Sequence, residues 1–299
     1  MEPAITVRNC RPKDSGDSAA YESLKKGAVF AHLLSKPDYD ADENLFIAEA
    51  DGSIVGFINV LPELRIGRAV LDYAVSPSQN LRAILPALVK PAWKRAQQLG
   101  ASVAHLGIPS TEKERAEVLV KLAFKPIRRF CDMQLNVSDI DLEGAHRLDR
   151  AYRYFNDGDE EVLSDIQNRC FAGAWGYNPN TVADTAWQLK VRNNIPEDIV
   201  LALDKDEVIG YCWTESACGR ESSTGERKGR IYMLGVDSRH RTRGLGKQLL
   251  LMGLLHLKNQ GCKLIEITVD TQNVVAVTLY HSLGFHICSE TVWYERGLN

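Results

Sequence analysis

Apolar residues recur along the chain in two series of elements that run in the same order. Short alternating runs at residues 5–8 and 152–155 predict strands, each leading into helical sequence. Runs at 45–50 and 199–203 follow, each with an Asp-containing turn and an apolar stretch that ends in Gly-aromatic (Gly56-Phe57, Gly210-Tyr211), which reads as a hairpin. Third strands are predicted at 69–75 and 230–236. Long helices come next, over about 83–99 and 245–260, stopped by Gly100 and Gly261. Beyond them lie buried strands at 102–108 and 264–269, a short helix and closing strands. A meander followed by a β-α-β step predicts an α/β (α+β mixed) fold. Each half makes a mixed, mostly antiparallel sheet with helices on both faces.

The two series are an internal repeat. A shift of 161 residues lays Val75 on Val236, Arg82 on Arg243, Leu88 on Leu249, Gly100 on Gly261, Leu122 on Leu283 and Phe124 on Phe285 without a gap. Only six of fifty positions are identical, but the apolar spacing agrees across the window. Upstream the shift is 154, and the seven extra residues fall in 217–230, a Gly/Ser/charge-rich stretch predicting a long hairpin loop. The boundary falls in 139–149, giving a first domain over 1–140 and a second over 141–299.

Composition narrows the class. With 299 residues, 44% apolar and 25% charged, the chain has the balance of a soluble globular protein of two domains. The longest apolar stretch, 249–255, is far short of the roughly 20 residues of a spanning helix, so no membrane partner is expected. A net charge of −3 argues against a nucleic-acid partner. Seven cysteines without a C-x-x-C, and no signal pattern at the N-terminus, predict a cytoplasmic protein with neither a disulfide framework nor a metal site.

One segment carries chemistry in its pattern: Leu234-Gly235-Val236-Asp237-Ser238-Arg239-His240-Arg241-Thr242-Arg243-Gly244-Leu245-Gly246-Lys247. A strand ends at Val236, a basic turn follows, and a helix starts near Gly244. A helix N-terminus offers unpaired N–H groups and partial positive charge, which suits a phosphate. Gly244 and Gly246 let oxygens approach the backbone, and Arg239, Arg241, Arg243 and Lys247 add positive charge. Neither G-x-G-x-x-G nor the P-loop fits, because Leu249 and Gln248 stand at required positions. In the first half Gly244 becomes Ala83 and Gly246 becomes Leu85, so the first domain is expected to keep the fold and lack catalysis.

Arg241-x-x-Gly244-x-Gly246 after a strand, with Asn273-Val274-Val275-Ala276-Val277-Thr278-Leu279-Tyr280 downstream, resembles the GNAT superfamily of acyl-CoA-dependent N-acyltransferases. Within it the chain is most similar to mycothiol synthases, which are also tandem repeats, through Tyr232-Met233-Leu234-Gly235-Val236-Asp237 and residues 241–257. The resemblance implies acetyl-CoA as acyl donor. Backbone N–H groups of the loop would hold its pyrophosphate, Leu234 and Val236 its pantetheine arm, and the segment from Asn273 through Ala276 its other side. It further implies a small-molecule or peptide amine as acceptor, attacking directly. A single chain holding two copies of the fold is expected to be a monomer. A non-catalytic acyl-CoA sensor would share the same loop.

Acyl transfer to an amine needs a proton acceptor, carbonyl stabilisation and often a proton for the thiolate. The backbone N–H of Val236 is the candidate donor to the carbonyl oxygen. Tyr280 stands where related enzymes often carry a tyrosine acid, unless it packs in the core. Glutamate and lysine positions of mycothiol synthases fall on Arg230 and Glu215, and a tyrosine position falls on Thr268. The signs are thereby exchanged across one hairpin. Glu215 is then the base, an anchor for an amino group, or half of a surface ion pair, with Glu266 and Asp270 in reserve. Trp175 and Tyr177, in an aromatic loop between two helical stretches, are candidates for the acceptor wall.

Overall fold

The structure is a computed structural model. It describes residues 4–26, 28–143, 145, 149–221, 227–241 and 244–298, with backbone alone at 217–221. In chain order the first elements are β1 (Thr6–Asn9), α1 (Ser15–Leu24), α2 (Phe30–Leu34), α3 (Ala41–Asn44), β2 (Leu45–Ala50), β3 (Ser53–Glu63) and β4 (Arg68–Val75). Then come α4 (Leu81–Gln98), β5 (Val103–Pro109), α5 (Lys113–Lys121) and β6 (Lys125–Asn136). The order repeats with β7 (Ala151–Tyr154), α6 (Glu160–Phe171), α7 (Val182–Arg192), β8 (Ile199–Asp204), β9 (Glu207–Glu221) and β10 (Arg227–Val236). It closes with α8 (Leu245–Asn259), β11 (Leu264–Asp270), α9 (Val274–Ser282) and β12 (His286–Gly297). The mixed α/β architecture expected from the apolar pattern is the one observed. Gly100 and Gly261 follow the two long helices with φ of +80° and +79°, the left-handed region that stops a helix at little cost to glycine.

The chain divides into two compact units, one of residues 1–128 with 291–299 and the other of residues 129–290. Among the described residues, no helix is long and apolar enough to cross a membrane. In the first unit the strands run β1-β2-β3-β4-β5-β12, antiparallel except for β4 beside β5. That parallel ladder covers only Arg68 to Val70 against Val103 to His105. One face packs under α4 through Leu85, Leu88 and Ala92, the other under α1 and α2 through Tyr21, Phe30 and Phe57. Asn80 caps α4 with its own side chain, accepting from the N–H of Arg82, and the Arg82 guanidinium is paired with Glu114 and Glu117.

In the second unit the order is β6-β11-β10-β9-β8-β7, again antiparallel except for β10 beside β11. Alternation along β11 sends Ile265, Ile267 and Val269 into the core beneath α8 and α9. Glu266, Thr268 and Asp270 therefore take the opposite face. A second core holds Tyr211, Trp213 and Leu163 under α6. The stretch 217–230 is not the long loop its composition predicts. The ladder continues out to Arg227↔Glu221, and residues 222–226 lie outside the described residues. Backbone pairing, once nucleated by the apolar run before it, overrides the local Gly/Ser bias.

Candidate active site

The site begins where two parallel strands part. The ladder between β10 and β11 runs from Lys228↔Leu264 to Ile231↔Ile267 and then stops, although β10 continues to Val236 and β11 to Asp270. On its other side β10 stays paired with β9 through Val236↔Gly210, and β11 stays paired with β6. The backbone of Leu234, Gly235 and Val236 thus faces an open split with hydrogen-bonding groups that β11 does not use. Tyr232 is the bulged residue at the split, between Ile231↔Thr214 and Met233↔Trp213. Gly235 is needed for packing, since a Cβ there would stand 2.8 Å from both Cys170 Cβ and Tyr211 Cε1.

Past Val236 the chain turns into the N-terminus of α8. Gly244 precedes the helix with φ of +75°, and no described side chain caps it. A Cβ on Gly246 would meet nothing closer than Val236 Cγ2 at 3.7 Å, so the fold itself does not demand glycine there. The first turn, Leu245, Gly246 and Lys247, has N–H groups that no side chain among the described residues caps. Two of the four cations expected to face an anion are engaged by groups of the protein instead, while staying exposed. Arg239 is bound to Asp237 and Glu207, and Arg241 donates to Val236 O at 3.1 Å and Cys170 O at 2.8 Å. Their guanidiniums tie the turn to β10 and α6, because buried Asp237 and two strand- and helix-end carbonyls lie within reach. Hydrogen bonds from Arg239, with help from Arg169, hold the Asp237 carboxyl down at about 2 against the cost of burial. Lys247 is exposed, and Thr242 and Arg243 lie outside the described residues.

Across the split, Asn273 caps α9 by accepting from the N–H of Ala276 at 3.2 Å. Tyr280 sits on the same helix, 6% exposed, its ring 5.9 Å from that of Phe285. Burial raises its phenol above the usual tyrosine range, so the hydroxyl keeps its proton. Burial likewise pushes the Cys170 and Cys212 thiols up to about 12, which leaves neither as a thiolate nucleophile.

The face of β9, β10 and β11 opposite α8 is lined with charge. Glu215 stands directly across from Arg230 in the ladder, yet the two side chains turn to other partners. Arg230 donates to Thr268 Oγ1 at 3.0 Å, and Thr268 donates on to Asp132 at 2.6 Å. Glu215 is ion-paired with Arg192, the last residue of α7, whose guanidinium lies 3.6 Å over the ring of Tyr232. The expected Glu215–Arg230 pair is therefore replaced, because α7 brings a second arginine to the same carboxylate. Glu266 is engaged by Lys228 and Gln134, and Asp270 accepts from the N–H of Gln272.

The loop between α6 and α7 is held by amides. Asn168 accepts from Tyr177 Oη and Asn180 N, Gln188 reaches both Asn180 and Tyr232 Oη, and Tyr177 stacks on Phe171. Trp175 packs against Phe130 with ring centres 5.9 Å apart. Tyr177 is a strut of this loop as much as a surface. Arg192 and Gln188 are the residues that sequence inspection missed. Their spacing of four places both on one face of α7, and that polar pair was the available signal.

A splayed parallel pair feeding an uncapped glycine-bearing helix start defines a class. Residues 161–285, all in the second unit, match the Acetyltransferase (GNAT) family. Within it the chain resembles mycothiol acetyltransferases. It is 27% identical over 263 residues to that of Segniliparus rotundus, covering 85% of this chain and 94% of the relative. To that of Nocardia farcinica it is 27% identical, with 94% of each covered. Among solved structures, a tandem GNAT protein from the clavulanic acid biosynthesis pathway superposes with a TM-score of 0.73 at 14% identity, over 99% of both chains. A GCN5-related N-acetyltransferase from Sphaerobacter thermophilus gives 0.71 at 18% identity, over 100% of this chain and 98% of that one.

Proposed function

We propose that the second unit moves an acetyl group from acetyl-CoA to a primary amine of a small molecule or peptide. The observation that carries this is the split at Ile231 and Ile267, whose open strand edge leads toward a helix start with no side-chain cap among the described residues and no side chain at Gly246. A Cβ-free cradle of N–H groups fits a pyrophosphate, and an unpaired strand edge fits an amide-bearing arm. The residues that would hold the donor are Leu234, Gly235 and Val236, the turn from Arg241 through Thr242, Arg243, Gly244, Leu245 and Gly246 to Lys247, and Asn273 and Ala276 across the split. Acetyl-CoA supplies an acyl group already activated as a thioester. The Val236 N–H stabilises charge developing on an acyl oxygen placed at the split. Tyr280, kept neutral by burial, holds a proton for the departing thiolate. Glu215 takes the acceptor's amine.

The first unit keeps the same strand order without the donor site. Asn80 fills the cap position of α4, which begins three residues earlier in the repeat than α8, and Leu85, laid on Gly246 by the 161-residue shift, is buried in it. A second reading, an acyl-CoA sensor without transfer, draws support from one observation: Glu215, Glu266 and Asp132 each already have a partner. The two part on acceptor-dependent release of free thiol from acetyl-CoA, measured over amino acids, amino sugars, polyamines and short peptides. Release that rises with an amine makes the protein an acetyltransferase. Tight acetyl-CoA binding with no release on any amine favours the sensor.

A further inference from the structure

Arg192 is held from three directions and still has one edge to spare. It ends α7, its Nη1 donates to Glu215 Oε1, and the plane of its guanidinium lies on Tyr232. Tyr232 is itself fixed from the same helix by Gln188, one turn earlier. Among the described residues neither the buried Nε of Arg192 nor its Nη2 makes a hydrogen bond. Glu215 uses only Oε1, leaving Oε2 without a hydrogen bond among the described residues.

The free groups specify a ligand. Nη1 is committed to Glu215 and Nε is closed off by the protein, so the N–H groups left for a ligand are those of Nη2, which suit a carboxylate oxygen. A guanidinium N–H left without an acceptor is costly, so an oxyanion on Nη2 gains a charge-assisted hydrogen bond. Charge counting adds a second requirement. Arg192 and Glu215 already cancel in a half-buried place, their side chains being 25% and 11% exposed. A lone anion or a lone cation would leave a net charge with little solvent to screen it. A ligand with both charges keeps the site neutral, its carboxylate on Arg192 Nη2 and its ammonium on Glu215 Oε2. Glu215 lies across the ladder from Arg230, one residue short of the split, on the face that also carries Thr268. An amine held there stands at the mouth of the opening.

We propose that Arg192 and Glu215 form a subsite for a zwitterionic acceptor, an amine that carries a carboxylate close by, as an amino acid does. The proposal rests on the acetyltransferase reading and names the acceptor class for that same site.

The test pairs α-, β- and γ-amino acids with their primary amides and compares wild type with Arg192→Lys, which keeps the charge and has no second nitrogen to offer once Glu215 is paired. Binding is read by titration calorimetry and turnover by thiol release. Wild type is expected to favour at least one acid over its amide by about ten- to a hundredfold, mostly in KM or Kd. Arg192→Lys is expected to erase that ratio while acetyl-CoA affinity and the folded circular-dichroism signal stay at wild-type levels. Acid and amide binding equally to wild type, or the same preference persisting in Arg192→Lys, overturns the subsite. Selective binding of the acid without thiol release leaves the subsite standing and overturns only the transfer reading.

Discussion

At the scale of single residues, two side chains in the site have environments that set their protonation. Tyr280 is raised above the ordinary phenol range by burial, so it remains a proton donor across neutral pH. Tyr280→Phe keeps the ring against Phe285 and removes the proton. Turnover is expected to fall about a hundredfold with little change in the KM for acetyl-CoA. Equal rates in steady-state thiol-release assays would reduce Tyr280 to packing. Asp237 is shifted the other way, down to about 2, first by hydrogen bonds from Arg239. A carboxylate depressed on folding stabilises the native state above its unfolded value near 4, and that share is lost as pH falls from there toward 2. For Asp237, which is 2% exposed, the share is about 2 kcal/mol. Asp237→Asn is expected to lower denaturant stability by roughly that amount at pH 7 and by little at pH 2. An equal loss at both pH values would mean that the Asp237 charge does not brace the turn.

At the scale of elements, α4 and α8 hold the same place in the repeat and start differently. The first is closed by Asn80 over Arg82 and begins three residues earlier in the repeat, with Leu85 buried in its second turn, whereas the second starts at Gly244 with no side-chain cap among the described residues. Gly246→Leu copies the first unit into the second. There is room for the new Cβ, and leucine is the better helix former, so the melting temperature is expected to hold within about 2 °C. Acetyl-CoA affinity by calorimetry is expected to drop tenfold or more, at least about 1.4 kcal/mol. Unchanged affinity would remove the helix start from the donor site. This loop was legible in the sequence because strand end, basic turn and glycines are consecutive. The helix stops at Gly100 and Gly261 were legible for the same reason. The direction of Arg239 and Arg241 was not, since their partners at Glu207 and Cys170 lie 32 and 71 residues away. Arg192 escaped notice likewise: its meeting with Glu215 depends on how α7 lies across β9, which periodicity does not encode.

At the scale of the whole molecule, the repeat is legible in the sequence but the allocation of its closing strands is not. Those strands are apolar-alternating wherever they pair, so local pattern leaves the partner open. In the structure Thr291 to Gly297 of β12 pair with β5 in the first unit, and Phe130 to Asn136 of β6 pair with β11 in the second. The second unit is one continuous stretch, 129–290, and the first is not. Where the chain is cut therefore decides whether the donor site survives. A fragment of residues 141–299 loses the seven paired residues that β6 gives β11. Its β11 then becomes an open edge beside the split, prone to pair with other chains. A fragment of 129–290 keeps the complete six-strand order. We expect 129–290 to melt cooperatively and to bind acetyl-CoA, and 141–299 to aggregate or bind none. Cooperative melting and donor binding by 141–299 would show that β6 is dispensable and that the split is held open by β9 and β10 alone.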